Sequence, residues 1–105
     1  MLRLLTILCL MGSASVTMAA DVNAGKAKSA TCAGCHGLQG LSTLPNAPNL
    51  AGQPQIYLSE QLKNYRSGKR THEVMSVIAK PLSDQEIEDL SAWYASLKID
   101  VREGK

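Results

Sequence analysis

Two cysteines and a histidine stand together as C-x-x-C-H at positions 32–36, and this cluster constrains the fold of the chain more than any other feature. The chain has 105 residues, which is enough for one small domain, and it contains no Phe and a single Trp. A domain of this size gains little stability from its apolar core alone, so a disulfide, a metal or another bound group is expected to stabilise it. The cluster at 32–36 is where the sequence offers such a group its attachment point.

Residues 1–20 have the order of a secretory signal peptide, with a basic residue, a short apolar run and small residues at the end. The run is shorter than the roughly 20 apolar residues that a membrane-spanning helix needs, so we expect cleavage, after Ala19 or Ala20. We therefore predict a signal peptide at 1–20 and a periplasmic domain at 21–105 that has no membrane span. Cys9 lies in the apolar run and would be removed with it.

The two remaining cysteines are compatible with three kinds of site. A thioredoxin-like dithiol requires a surrounding βαβ frame, which this Ala- and Gly-rich sequence does not suggest. A zinc site requires four ligands, and the Cys and His of residues 21–105 are Cys32, Cys35, His36 and His72 alone. C-x-x-C-H is also the sequence of c-type haem attachment, which is the interpretation that we favour.

The spacing suits a haem because residues three apart lie on one face of a helical turn. Cys32 and Cys35 can therefore form thioethers with the two vinyl groups along one edge of a porphyrin, and His36 can bind the iron. Met75 is the single Met after position 20, and His/Met is a known axial pair, so Met75 is the candidate sixth ligand. His72, three residues earlier, remains the alternative. With both axial positions filled, the iron can exchange electrons but has no free site for a substrate.

Apolar periodicity and turn signals predict a mostly helical domain. We expect a short helix from Asp21 to about Thr31, followed by a long loop over 37–52. A second helix is predicted between Pro54 and Gly68, with Ile56, Leu58, Leu62 and Tyr65 at helical spacing. One or two helical turns are expected within 71–79. Ser83 and Glu86 form a capping box for the last helix, whose predicted buried stripe consists of Ile87, Leu90, Trp93, Tyr94 and Leu97.

These motifs together resemble the class I cytochromes c. The resemblance covers residues 21–105 and is carried by C-x-x-C-H, Gly25-Lys26, Pro48-Asn49-Leu50, Met75 and the capped last helix. Within that class, three segments are similar to the small periplasmic type whose duplicated form is a dihaem cytochrome c: Leu50-Ala51-Gly52-Gln53, Gly68-Lys69-Arg70 and Leu82-Ser83-Asp84-Gln85. Because this chain has one C-x-x-C-H motif, it resembles a single-haem version.

The resemblance implies an all-α class I cytochrome c fold, in which short helices surround one covalently bound haem c and the first and last helices cross. Gly25 is then expected at the crossing, near Leu90 and Trp93, because glycine allows two backbones to approach closely. The resemblance also implies that the carbonyl of Pro48 accepts the other ring N–H of His36, and that Leu50 covers one haem face.

The implied function is one-electron transport in the periplasm by a haem whose iron is held by His36 and Met75, rather than catalysis. Its partners would be redox proteins, either membrane-bound or soluble, that donate and accept electrons. Two alternatives remain: a haem-bearing subunit of a larger periplasmic or membrane oxidoreductase, and an enzyme in which Met75 leaves the iron open.

The charged residues of the chain limit the kinds of partner that it could bind. A net charge of +2 is too small to indicate a nucleic-acid binder. Arg66, Lys69 and Arg70 form a basic group beside the Met75 segment, and the last helix carries acidic residues opposite it. This group is either an ordinary solvated surface, or it pairs with a haem propionate or attracts an acidic redox partner.

Overall fold

Helices are the regular elements of the computed structural model, which describes residues 12–13 and 19–104. They are α1 (Val22–Lys28), a 3₁₀ turn (Ser29–Thr31), α2 (Ala33–His36), α3 (Gln55–Ser67), α4 (Met75–Ala79) and α5 (Asp84–Ser96). These ranges contain no strand, and the all-α prediction is confirmed. Most of the predicted signal peptide, including Cys9, lies outside the described residues. No helix in the described ranges has the length and apolar character of a membrane span.

The first helix ends earlier than the sequence predicts. Asp21 caps its N-terminus, because the carboxylate accepts hydrogen bonds from the N–H groups of Asn23 (2.9 Å) and Ala24 (3.1 Å). At the other end, the Ser29 hydroxyl donates to the carbonyl of Lys26 at 2.6 Å. Such side-chain bonds to the backbone compete with helical hydrogen bonding, and α1 tightens into the 3₁₀ turn instead of continuing to Thr31.

The last helix begins at the predicted capping box. The Ser83 hydroxyl accepts from the Glu86 N–H, and the Glu86 carboxylate accepts from the Ser83 N–H, both at 3.1 Å. A cap of this kind contributes about 1 kcal/mol. Ile87, Leu90 and Tyr94 form the buried face of α5, as predicted, and with Leu58, Ala79 and Leu82 they make up the buried core cluster of the described residues.

The two terminal helices cross at Gly25, which confirms this part of the predicted fold. A Cβ at this position would lie 1.9 Å from the carbonyl oxygen of Asp89 and 2.9 Å from the Cβ of Trp93. Both distances are far inside van der Waals contact, so the crossing requires glycine in α1. Polar bonds flank it, from the Asp21 N–H to the carboxylate of Asp89 (2.8 Å) and from Lys28 to Glu86 (2.6 Å).

Helix α3 packs against α5, but one of its apolar residues does not take part. Leu58 is buried, and Leu62 and Tyr65 pack partly against the core. Ile56 is 81% exposed, contrary to the predicted apolar face. It precedes Leu58 by two residues, which places it about 200° away around the helix. Gly68 ends α3 in the left-handed region, with φ of 85°.

Replacing Gly25 with Ala should therefore destabilise the folded protein. The added methyl overlaps the Asp89 carbonyl, and separating the helices costs about 1–3 kcal/mol, more than alanine gains in helix propensity. Thermal unfolding of the haem-loaded protein should show a melting temperature lower by about 5 °C or more. Gly34→Ala is the matched control, because a Cβ at this helical glycine meets nothing within 4 Å. Equal melting temperatures for the two variants would contradict the close crossing.

The ion pair between α1 and α5 should make stability depend on pH. The Lys28 ammonium and the Ser83 N–H, both bonded to Glu86, lower the pKa of that carboxyl from 4.5 to about 2. Because the folded state lowers this pKa, the contribution of Glu86 is complete above pH 4.5 and is lost as the pH falls toward 2. Glu86→Gln should remove this part of the acid destabilisation in pH-dependent unfolding, whereas the exposed Glu60→Gln should leave the curve unchanged. Parallel curves for wild type and Glu86→Gln would disprove the assignment.

Candidate functional site

The C-x-x-C-H segment folds into a single helical turn. The His36 N–H donates to the carbonyl of Cys32 at 3.0 Å, and the Gly37 N–H donates to that of Ala33 at 3.0 Å. Gly37 then reverses the chain with φ of +83°, and a Cβ there would lie 2.0 Å from the carbonyl oxygen of Leu41. Glycine is therefore required directly after His36, and the turn leaves the imidazole at the end of α2.

A cavity of about 440 Å³ lies beside this turn, enclosed by the loop after α2 and by α3, α4 and α5. This volume falls in the range of about 300–1,000 Å³ that is typical of ligand and cofactor sites. All the residues that the sequence singled out line it: Cys32, Cys35, His36, Pro48, Leu50 and Met75. His72 lines it as well. Residues that are up to 43 positions apart in the sequence (32 to 75) are thus brought to one space.

His36 is buried, at 7% exposure, and its ring is held by the loop. Its Nδ1 lies 2.8 Å from the carbonyl oxygen of Pro48. A carbonyl oxygen can only accept, so Nδ1 carries the proton and donates it to this bond. In the neutral imidazole the lone pair then resides on Nε2, which is the arrangement that metal-binding histidines adopt.

The loop that carries Pro48 and Leu50 is itself tied to the helices. The Ser42 hydroxyl donates to the carbonyl of Cys35 at 3.0 Å, and the Ser42 N–H donates to the side chain of Asn49 at 2.7 Å. Further along, the Gly52 N–H donates to the carbonyl of Tyr94 in α5 at 2.8 Å. The loop is therefore ordered by hydrogen bonds to α2 and α5, and it positions the carbonyl of Pro48 beside Nδ1 of His36.

Met75 begins α4 on another wall of the cavity, and His72 holds its backbone. The Nδ1 of His72 accepts hydrogen bonds from the N–H groups of Val74 (3.1 Å) and Met75 (3.2 Å). The Ser76 hydroxyl accepts from the His72 N–H at 2.9 Å and closes the turn from the other side. His72 thus acts as a side-chain cap for the short helix that presents Met75.

Tyr94 lines the cavity, and its buried hydroxyl has no hydrogen-bond partner among the described residues. The residue is 3% exposed, and burial raises the pKa of its hydroxyl, with a further increase from the neighbouring Cys32 thiol. The sequence predicted Tyr94 only as part of the buried stripe of α5. Tyr94 therefore forms part of the cavity wall next to Cys32, while its hydroxyl itself is buried beneath the cavity surface.

One face of α3 also lines the cavity, which the sequence did not predict. Leu58, Gln61, Leu62 and Tyr65 lie at helical spacing along it. This spacing was visible in the sequence, but it does not distinguish a face that packs on the core from one that lines a cavity. Arg70, which follows α3, lines the cavity too.

The lining residues fit a haem better than the other two kinds of site. Two thiols on one turn, an imidazole with a free Nε2 and a thioether line a mostly apolar cavity. In the described part of the chain, no three His, Cys, Asp or Glu side chains group closely enough to hold a metal ion. A thioredoxin-like site needs strands, and residues 19–104 form none.

Comparison with known proteins agrees with this chemistry. The family described as Cytochrome c matches residues 22–98. Cytochrome c4 of Pseudomonas aeruginosa is 42% identical over 99 residues, which cover 93% of this chain and 49% of that protein. Cytochrome c-554(548) of Halomonas halodenitrificans is 42% identical over 81 residues, which cover 74% of this chain and 98% of that protein. The chain thus spans about half the length of the cytochrome c4 relative.

Solved structures show the same fold. Reduced cytochrome c4 from Pseudomonas stutzeri superimposes with a TM-score of 0.72 at 40% identity, over 76% of this chain and 47% of that one. Thiosulfate dehydrogenase from Marichromatium purpuratum gives a TM-score of 0.71 at 31% identity, over 87% of this chain and 22% of that one. The cavity, its donor groups and these similarities lead to one conclusion: the chain belongs to the cytochrome c family, as a class I member that resembles one half of a dihaem cytochrome and carries covalently bound haem c with iron.

Proposed function

We propose that this protein is a periplasmic one-electron carrier with one haem c, exported by a cleaved signal peptide at 1–20. Cys32 and Cys35 would form the thioethers, and His36 and Met75 would bind the iron. When bound, the haem supplies a one-electron redox couple at its iron. The mature domain, residues 21–105, exchanges electrons with redox proteins and performs no catalysis of its own.

The observation that carries this proposal is the state of the His36 ring. The bond from Nδ1 to the Pro48 carbonyl selects the tautomer with a free lone pair on Nε2, and it also restricts rotation of the ring. The His36 ring therefore lines the cavity with a free lone pair on Nε2, which a neutral imidazole ligand needs. Leu50 lines the same cavity, and we expect it to cover one face of the haem.

The capping role of His72 supports Met75 as the second ligand. The Nδ1 of His72 is occupied by two backbone N–H groups, so in its neutral form the proton lies on Nε2. A ring in this state has no free lone pair for iron. The thioether of Met75 is not engaged in hydrogen bonds of this kind with the described residues. A thioether ligand favours ferrous iron more than an imidazole does, so we expect a reduction potential in the positive part of the haem range.

Met75→Ala should remove one axial ligand. Ferric wild-type protein should show the absorption band at about 695 nm that marks iron bound to a methionine sulfur, and the variant should lack it and have a lower reduction potential. Carbon monoxide should bind the ferrous variant but not the ferrous wild type. Val74→Ala, which changes a neighbouring residue of the cavity wall, is the control and should keep the band.

These measurements also test the enzyme alternative. If the wild type bound carbon monoxide readily and lacked the band, the iron would be open and the electron-carrier assignment would be wrong. An unchanged spectrum and potential in Met75→Ala would show that another residue is the ligand.

His72→Ala should weaken the attachment of Met75 without removing it. The variant loses the cap on the N–H groups of Val74 and Met75, a loss of about 0.5–2 kcal/mol. On heating the ferric protein, the band at about 695 nm should disappear at a temperature lower by about 5 °C. Glu73→Ala, at an exposed neighbour, should leave this temperature unchanged. A wild-type protein without the band, whose spectrum changes in His72→Ala but not in Met75→Ala, would indicate that His72 itself binds the iron.

A second function is favoured by one of the similarities. The thiosulfate dehydrogenase from Marichromatium purpuratum contains a region with this fold, so a chain of this kind can also serve as the haem-bearing part of a larger oxidoreductase. Size-exclusion chromatography of the native protein separates the two functions. A carrier elutes as a small protein, and a subunit elutes with its complex.

A further inference from the structure

A haem carries two propionate groups, and these anions need partners when the porphyrin enters a mostly apolar cavity. An unpaired charge at such a place is costly unless it is hydrogen-bonded or faces a cation. Among the cavity-lining residues that the structure describes, one has a permanent charge, and this residue is Arg70.

The position of Arg70 is determined by the end of α3. Gly68 turns the chain back, and the Arg70 N–H donates to the carbonyl of Asn64 at 3.1 Å. The guanidinium stacks over the ring of Tyr65, 4.7 Å from its centroid, and its Nη1 donates to the side-chain oxygen of Gln61 at 2.8 Å. Tyr65 and Gln61 both line the cavity, so they hold the cation at the cavity wall.

The remaining donors of Arg70 are available. A guanidinium has five N–H groups in a planar fork that matches a carboxylate, and Gln61 uses one of them. No carboxylate of the described residues lies within 4.0 Å of Arg70. A stacked and anchored arginine loses little conformational entropy on binding an anion, because its orientation is already restricted.

The neighbouring cations are arranged differently. Arg66 donates to the Leu82 carbonyl at 2.9 Å and pairs with Asp84 at 2.6 Å, and Lys63 pairs with Glu88 at 2.8 Å. Lys69 is not among the cavity-lining residues. The basic group of the sequence therefore divides into an ion pair at Arg66, an exposed Lys69 that does not line the cavity, and an exposed Arg70 that does.

We propose that Arg70 binds a haem propionate through its guanidinium, with Tyr65 and Gln61 as positioning residues. This inference rests on the proposed function, since it requires the haem to occupy this cavity. The arginine would neutralise the propionate and would place a positive charge beside the haem. Both effects disfavour the ferric state and raise the reduction potential.

The test compares holoprotein variants by redox titration and by the propionate bending mode in resonance Raman spectra. Arg70→Gln should shift the Raman mode and lower the equilibrium constant for reduction by a factor of roughly three to ten, as expected for removal of one charge at an effective dielectric near 20. Lys69→Gln removes the same charge one residue away, and should leave the Raman mode unchanged with a smaller change in potential. Gln61→Leu removes the anchor but no charge, so it should shift the Raman mode with less effect on the potential.

Arg70→Lys decides the question if Arg70→Gln does not assemble with haem. Lysine keeps the charge but lacks the fork, so the Raman mode should still shift while the potential stays near that of the wild type. Unchanged Raman modes in both Arg70 variants, or in Arg70→Lys when it alone assembles, would overturn the propionate assignment. A failure of the proposed axial ligation would be seen separately, because the wild-type protein would then contain covalent haem but lack the band at about 695 nm. The Raman comparison of the Arg70 variants would still be valid for such a protein.

Discussion

The crossing of α1 and α5 at Gly25 is the contact on which the rest of the structure depends. The backbone of Asp89 occupies the space that a side chain at position 25 would need. Helix α1 continues through a 3₁₀ turn directly into the C-x-x-C-H turn, while α5 contributes Leu90 and Tyr94 to the cavity. A small displacement at the crossing would therefore move Cys32 and Cys35 relative to the opposite wall, so Gly25 affects the shape of the cavity although it does not line it.

The domain has a cavity for a bound group where a larger domain would have an apolar core. The buried core cluster of the described residues is small and contains one aromatic side chain, Tyr94. A domain of this size is marginally stable by itself, and a covalently attached porphyrin both supplies apolar contact and links separate segments of the chain. Tyr94, the one aromatic residue of that cluster, also lines the cavity.

Much of the fold was predictable because its signals are local. The capping box at Ser83, the helical turn at 32–36 and the end of α3 at Gly68 each depend on residues three or four apart. Two local predictions were wrong. Helix α1 ends before Thr31, because side-chain hydrogen bonds to the backbone compete there with helical hydrogen bonds. Ile56 points away from the core, because the helical spacing of α3 turns it to the opposite side from Leu58. For the site, the sequence selected the candidate donors, but not the α3 face that lines the cavity or the separate roles of Arg66 and Arg70.

The sequence by itself determined the chemistry that is available, namely two thiols and an imidazole on one turn, one thioether and the family to which they belong. Tertiary structure decided how these groups are used. The proton on Nδ1 of His36 follows from a carbonyl 12 residues away, and the Asp21 N–H meets its acceptor 68 residues away. Contacts over such separations depend on how the helices pack, which periodicity and spacing along the chain do not encode.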